Sequence, residues 1–298
     1  MTPVGRAASL AVRRRSWAVL AAVTLVAVGG VQAEGRGEDG APAEEVVFVR
    51  YPQFLVDIQL ETTVYKPGGR PPWPLVVVNH GSRGYDNPHR QDRNRPVETA
   101  RFFLERGYLV VAPMRQGFSQ STGVYTPSNC DPGRYAERYG GDIAAVIDHF
   151  VKQGLARPDE VLVTGQSNGG MVTLGYAANQ PKARAIINFA GGINTTQPGC
   201  DWAAAMVRAA KSLGARTAIP SLWIYAEDDS IFPPAVSRPF FDAYRAAGAR
   251  ASLRLFPSGG HGFSTTRTGR QTWGPDVEQF LRDVGLPATP VDALRNGG

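Results

Sequence analysis

The sequence predicts an α/β fold in which a mostly parallel central sheet carries helices on both faces. Three observations lead there. Short apolar runs rich in Val, Ile and Leu recur along the chain, as in strands buried on both faces. Segments of helical length separate these runs, and strand–helix–strand order requires crossovers that lay each helix on a sheet face. At "VLVTGQSNGGMVTLGYAA" (Val161–Ala178) one such strand turns through small residues directly into a helix-forming stretch, with Ser167 at the crest. A chain of 298 residues, 43% apolar and 19% charged, is long enough to bury one large core and has globular composition.

In chain order, residues 1–33 read as an export signal. Arg13–Arg15 form a positive start, "WAVLAAVTLVAV" (Trp17–Val28) an apolar centre and "VQA" (Val31–Ala33) a small-residue cleavage site. About twelve apolar residues at ~1.5 Å each fall short of a bilayer. The expectation is cleavage after Ala33, a periplasmic or secreted protein and no stable membrane anchor. The adjacent arginines leave general and twin-arginine export both open. Residues 34–45 form a polar, Gly-rich linker.

"VVFVR" and "VDIQLETTVYKP" then read as two antiparallel strands that end at "KPGGRPPWP". "LVVVN" (Leu75–Asn79) is a doubly buried strand, followed by a polar loop and a helix over Pro96–Arg106. "YLVVAP", a long loop and a helix near Arg134–Gln153 come next, then "EVLVTG" with a helix over Asn168–Asn179. "ARAIINFAG", "PSLWIYA" and "ASLRLFP" continue the strands, with helices near 201–213, 233–247 and 273–284. Residues 46–286 make the catalytic domain and 287–298 a tail. Gly191–Arg216 is the only insertion that could cap the sheet, so no large lid is expected.

The net charge of +6 is concentrated in the leader. Arg6, Arg13, Arg14 and Arg15 lie there without an acidic residue, and subtracting those four charges leaves +2. That balance gives no reason to expect a nucleic-acid partner. Cys130 and Cys200 sit in polar, loop-like surroundings, "SNCDPG" and "QPGCDW". An oxidising compartment favours joining them in one disulfide. Neither has histidine or acidic neighbours at ligand spacing, so no metal site is expected.

A nucleophilic Ser167 would need a base, and the chain offers His80, His89, His149 and His261. His149 lies mid-helix and His89 in a polar loop. Only His80 and His261 stand at carboxyl ends of strands, where open α/β sheets gather reactive groups.

At this point the residues resemble a known family. Strand–"GQSNGG"–helix is similar to the nucleophile elbow of the α/β-hydrolase fold. "NHGSRG" resembles that family's oxyanion loop, "AEDDSIFPP" its acid loop and "GGHGF" its histidine loop. The resemblance covers roughly Val46–Leu286, in the order Ser, acid, His, and is nearest to dienelactone-hydrolase-related esterases. Those namesakes use a cysteine nucleophile; serine stands here, so dienelactone specificity is not implied. The resemblance implies Ser167 as nucleophile and His261 as base, with His80 shaping the oxyanion loop. Among Glu227, Asp228 and Asp229, the family's spacing of four residues before the helix-opening Pro233 selects Asp229. The backbone N–H groups of Ser82 and Asn168 are the expected oxyanion donors, while Ser119 and Ser121 are hydroxyls without a following helix.

These expectations describe a secreted serine hydrolase acting on small-molecule carboxylic esters through an acyl-enzyme, without a cofactor. A peptidase related to prolyl oligopeptidases shares the elbow, though not the large filtering domain usual there. A binding protein on a hydrolase fold would show a damaged triad. Phe118, Tyr125, Trp202 and Phe232 are candidate pocket residues. No motif encodes the natural substrate or the oligomeric state.

Overall fold

The computed structural model describes residues 41–83, 87–179 and 181–296. The expected export signal and most of the expected linker therefore lie outside the described residues. Eight strands form one sheet: β1 (Glu45–Gln53), β2 (Val56–Tyr65), β3 (Trp73–Asn79), β4 (Leu109–Pro113), β5 (Ala156–Gln166), β6 (Ala185–Phe189), β7 (Ser221–Ala226) and β8 (Ala251–Phe256). Their order is β1-β2-β4-β3-β5-β6-β7-β8. β2 pairs antiparallel with β1 and β4, and every pairing from β4 to β8 is parallel. Among the described residues seven α-helices accompany the sheet: α1 (Val97–Leu104), α2 (Pro132–Lys152), α3 (Asn168–Ala177), α4 (Trp202–Gly214), α5 (Pro234–Ala246), α6 (Arg267–Asp283) and α7 (Val291–Asn296).

The unbroken apolar strands follow from having two cores. Along β3, Leu75 and Val77 enter the core shared with α2, α3, α4 and α5, whereas Val76 and Val78 enter the core under α1 and α6. β5 splits in the same way, Val161 and Val163 to one face and Leu162 to the other. A strand that faces two cores has no polar face to show, because successive side chains point to opposite sides. Each such fully buried Val or Leu contributes about 1.5–3 kcal/mol.

Three boundaries differ from the sequence reading. α6 starts at Arg267, well before residue 273. Its first turns contain Gly269 and no large apolar residue ahead of Trp273, so periodicity is silent there, and the Thr266 hydroxyl caps it by accepting the Gly269 N–H. β5 starts at Ala156, through the polar and exposed "RPDE". The expected tail contains α7: the Arg106 guanidinium donates to the Ala288 carbonyl, the Tyr108 hydroxyl to the Pro287 carbonyl and the Val291 N–H to the Glu105 carbonyl. At the other end, Glu44 accepts from Arg93, Arg95 and the Tyr65 hydroxyl, which fixes the chain where it enters β1.

Candidate active site

β5 ends at Gln166 and α3 begins at Asn168, so Ser167 alone makes the turn, with φ 57° and ψ −123°. A non-glycine residue there is strained and persists only if its surroundings hold it. Two backbone bonds do so: the Ser167 N–H donates to the Phe189 carbonyl (2.9 Å), and the Gly192 N–H donates to the Ser167 carbonyl (3.0 Å). The flanking glycines are needed for space. A Cβ on Gly165 would lie 2.3 Å from the Gly169 carbonyl oxygen, and one on Gly169 would lie 2.3 Å from that of Asn79.

Loops after β7 and β8 bring Asp229 and His261 to this turn. Ser167 Oγ lies 2.8 Å from His261 Nε2. His261 Nδ1 lies 3.0 and 3.1 Å from the two Asp229 carboxylate oxygens, so Nδ1 carries the proton and Nε2 can accept one. Asp229 Oδ1 also accepts the N–H groups of Ile231 and Phe232. Burial alone would raise the Asp229 pKa. The hydrogen bonds from His261, Phe232 and Ile231 outweigh it and hold the carboxyl below its usual range. The neighbouring Asp228 faces solvent and accepts from the Gly260 and Gly259 N–H groups (2.7 and 3.1 Å), bonds that lower its pKa. One acid thus touches the histidine ring and the other fastens the histidine loop.

On the far side of Ser167 runs the loop after β3. Its approach is close, since a Cβ on Gly81 would lie 3.4 Å from Ser167 Cβ. Ser82 follows Gly81 on the exposed side, and Asn168 opens α3 directly after the serine. His80 is buried beneath. The Arg115 N–H donates to its Nε2 (3.1 Å), which leaves the proton on Nδ1, 2.6 Å from the Gly81 carbonyl. Burial, aided by the Arg115 charge, holds the His80 pKa well below 6.5. A neutral ring with both nitrogens engaged is a strut for the loop rather than a proton carrier.

The remaining candidates separate cleanly. The Ser121 hydroxyl accepts from the Glu61 N–H and donates to the Met114 carbonyl, while His89 meets the Ser119 carbonyl through Nδ1. His149 stays on α2, remote in role from the turn. The four aromatic candidates form two pairs: Phe232 packs against the His261 ring (5.4 Å) with Trp202 behind it (6.0 Å), and Phe118 packs against His80 (4.8 Å) with Tyr125 behind it (5.3 Å). Cys130 and Cys200 are joined, Cα atoms 5.7 Å apart. Among the described residues no group of His, Cys, Asp and Glu is arranged to hold a metal ion.

Two contacts escape a motif reading. The Gln166 amide donates to the His261 carbonyl (3.1 Å), and its Oε1 would lie 2.7 Å from a Gly81 Cβ. The side chain next to the serine therefore touches the histidine loop and the oxyanion loop at once. The Arg115 guanidinium donates to the His80 carbonyl (2.5 Å) from a fully buried position. Its only sequence signal is its place just past β4.

The chain is similar to the dipeptidyl aminopeptidase BIII of Pseudoxanthomonas mexicana, 28% identical over 74% of the chain, of whose length it spans only 34%. It is likewise 28% identical, over 65% of the chain and 68% of the relative, to a putative carboxymethylenebutenolidase of Escherichia coli K12. Its fold matches a putative dienelactone hydrolase from Klebsiella pneumoniae with TM-score 0.57, at 19% identity over 82% of this chain and 99% of that one. The strand–elbow–helix order, the mostly parallel sheet and the relatives place the molecule in the α/β-hydrolase superfamily. Within it, residues 57–219, more than half of the chain, match the family model of the X-Pro dipeptidyl-peptidases, and the chain belongs to that S15 family.

Proposed function

We propose that the protein is an exported carboxylic ester hydrolase working through Ser167, His261 and Asp229. The observation that carries the reading is the continuous hydrogen-bonded chain from Ser167 Oγ through His261 to the buried Asp229. In the reaction Ser167 Oγ attacks the ester carbonyl and passes its proton to His261 Nε2. The oxyanion takes hydrogen bonds from the Ser82 and Asn168 N–H groups. His261 then protonates the departing alcohol, which leaves an acyl-enzyme. Water gives a proton to His261, its oxygen adds to the acyl carbon, and the acid departs as the proton returns to Ser167. No cofactor takes part. Asp229 keeps the imidazole in the useful tautomer and stabilises the imidazolium.

A peptidase reading has specific support as well, since the family model and the Pseudoxanthomonas relative are both peptidases by description. The smaller relative, covered over most of its length, favours the ester reading. One experiment separates them: purified protein is assayed with chromogenic esters of graded acyl length and with X-Pro anilides. Ester turnover at least 100-fold above anilide turnover is expected, and the reverse ratio selects the peptidase. Ser167→Ala should abolish turnover and labelling by a fluorophosphonate, a loss of several orders of magnitude. Unchanged turnover in that variant would end both readings.

A further inference from the structure

Large apolar side chains left in solvent cluster at one place. β1 and β2 are joined by a two-residue turn, Phe54–Leu55, between the paired Gln53 and Val56. Phe54 is 101% exposed, Leu55 100% and Val56 60%. Phe54 also has φ 53°. A two-residue hairpin turn with positive φ at its first position calls for glycine. Local turn chemistry and solvation thus both disfavour Phe–Leu here, and nothing in the fold rests on the two side chains. A position that breaks two rules without a structural return points to function.

The register places this tip. Thr62 of β2 pairs with Pro113, the carboxyl-terminal residue of β4. β2 runs antiparallel to β4, so Val56, six residues earlier, stands roughly 20 Å beyond that carboxyl edge at ~3.3 Å per residue. Ser167 lies at the same edge, just past β5. β2 and β5 are separated by β4 and β3, three strand spacings or about 14 Å. The hairpin therefore rises beside the mouth of the candidate active site.

The loop after β4 fills the interval. The Thr122 N–H donates to the Gln59 carbonyl, and the Gln59 N–H donates to Thr122 Oγ1 (2.8 Å). This brace ties the loop that carries Val124 (70% exposed) and Tyr125 to β2. Tyr125 stacks edge-on against Phe118, and Phe118 against His80 under the oxyanion loop. The exposed apolar surface here thus comprises the tip and the Val124–Tyr125 segment, and the ring contacts behind Tyr125 lead inward through buried Phe118 to His80.

We propose that this hairpin tip, with Val124 and Tyr125, seats the enzyme on the surface of an aggregated, uncharged lipid ester. The tip and Ser167 stand at the same carboxyl edge of the sheet, so a surface that the tip enters lies over the site. A protruding tip without a recess suits insertion into a fluid apolar phase, as for side chains of proteins lying at a lipid interface. A second copy paired edge to edge along β1 would cover Val46 and Phe48 but leave the tip beyond the end of the partner strand. The proposal rests on the ester reading above and names its substrate class.

The test compares the wild type with Phe54→Asp/Leu55→Asp on a soluble aryl acetate and on a tributyrin emulsion. Flotation of the Ser167→Ala protein, with and without the tip changes, on triacylglycerol droplets reads binding without turnover. Expected are a soluble-ester rate within about twofold and a fall of about tenfold or more in emulsion rate and in flotation. Equal flotation with and without the tip changes would overturn the proposal. So would a wild-type dimer that the tip changes dissolve in light scattering. If the wild type hydrolyses neither ester, the ester reading fails, and flotation alone still decides the docking claim.

Discussion

Asp228 and Asp229 are adjacent in sequence and opposite in surroundings. Asp229 is 1% exposed and faces the imidazole, while Asp228 stands in solvent and holds the Gly259 and Gly260 N–H groups. Asp229→Asn should lower turnover on the order of 10⁴-fold, as for the orienting aspartate of serine proteases. Asp228→Asn weakens only the loop and should cost about tenfold or less; a larger loss from Asp228→Asn, read from kcat, would reverse the assignment. In the sequence only the resemblance to the hydrolase family, whose acid stands four residues before a helix-opening proline, pointed to Asp229 over Asp228. Gln166 was not legible, because its partner His261 is 95 residues away and nothing local to "GQSNGG" announces that contact. Its donation to the His261 carbonyl makes it a positioning residue. Gln166→Ala should lower kcat about tenfold with KM near its original value, and Gln166→Glu, which removes the donor at constant size, should behave alike. A pure KM effect would place Gln166 in substrate binding instead.

At the scale of elements, the elbow was the most legible part of the fold, because a doubly buried strand, a cluster of small residues and a helix lie consecutively and need no distant information. α6 was the least legible. Its opening turns depend on the Thr266 cap and on burial of Gly269 against the Phe263 carbonyl, where a Cβ would lie 1.6 Å away, and neither leaves an apolar period. The polar start of β5 was hidden for a related reason: only Ala156 pairs there, opposite Trp73, before a register shift, and Arg157, Pro158 and Asp159 remain in solvent. The elbow geometry also carries a prediction. On Gly169 a methyl group would meet the carbonyl oxygens of Asn79 and His80 at 2.3 and 2.5 Å, backbone atoms of the β3 end that cannot yield as a flexible side chain would. Gly169→Ala should therefore push α3 away from β3, cost at least 2 kcal/mol or so by overpacking and abolish turnover even where the protein stays soluble. Full activity in a soluble Gly169→Ala protein, measured beside its urea midpoint, would show that the elbow tolerates displacement.

Across the whole molecule, the sequence conveyed the layering and the loop order, since both follow from strand burial and from the crossovers that parallel pairing requires. It carried less about the ends: α7 reads as a tail because its docking uses backbone carbonyls of residues 287 and 288, which composition does not reveal. The Cys130–Cys200 bond acts at this scale. It joins the segment entering α2 to the segment entering α4, two helices that already touch where Gly133 meets Ala209. The bond spans 70 residues, and the chain-entropy argument gives about 4 kcal/mol of stabilisation for a loop of that length, exerted mainly on the unfolded chain. In a protein of this size each kcal/mol moves the melting temperature by about 2–4 °C, so reduction should lower Tm on the order of 10 °C. Function should respond differently. Trp202, two residues past Cys200, backs Phe232, which packs on His261; Ser167, His261 and Asp229 are themselves held by β5, β7 and β8. Reduced protein assayed at 25 °C should keep kcat within a few-fold and show a raised KM as the 191–216 segment loosens. Calorimetry and ester kinetics on oxidised protein, reduced protein and the Cys130→Ser/Cys200→Ser variant decide the matter, with intact mass after alkylation confirming each redox state. An unchanged Tm would remove the bond's stabilising role, and a collapse of kcat at constant KM would mean that it holds the reacting groups themselves.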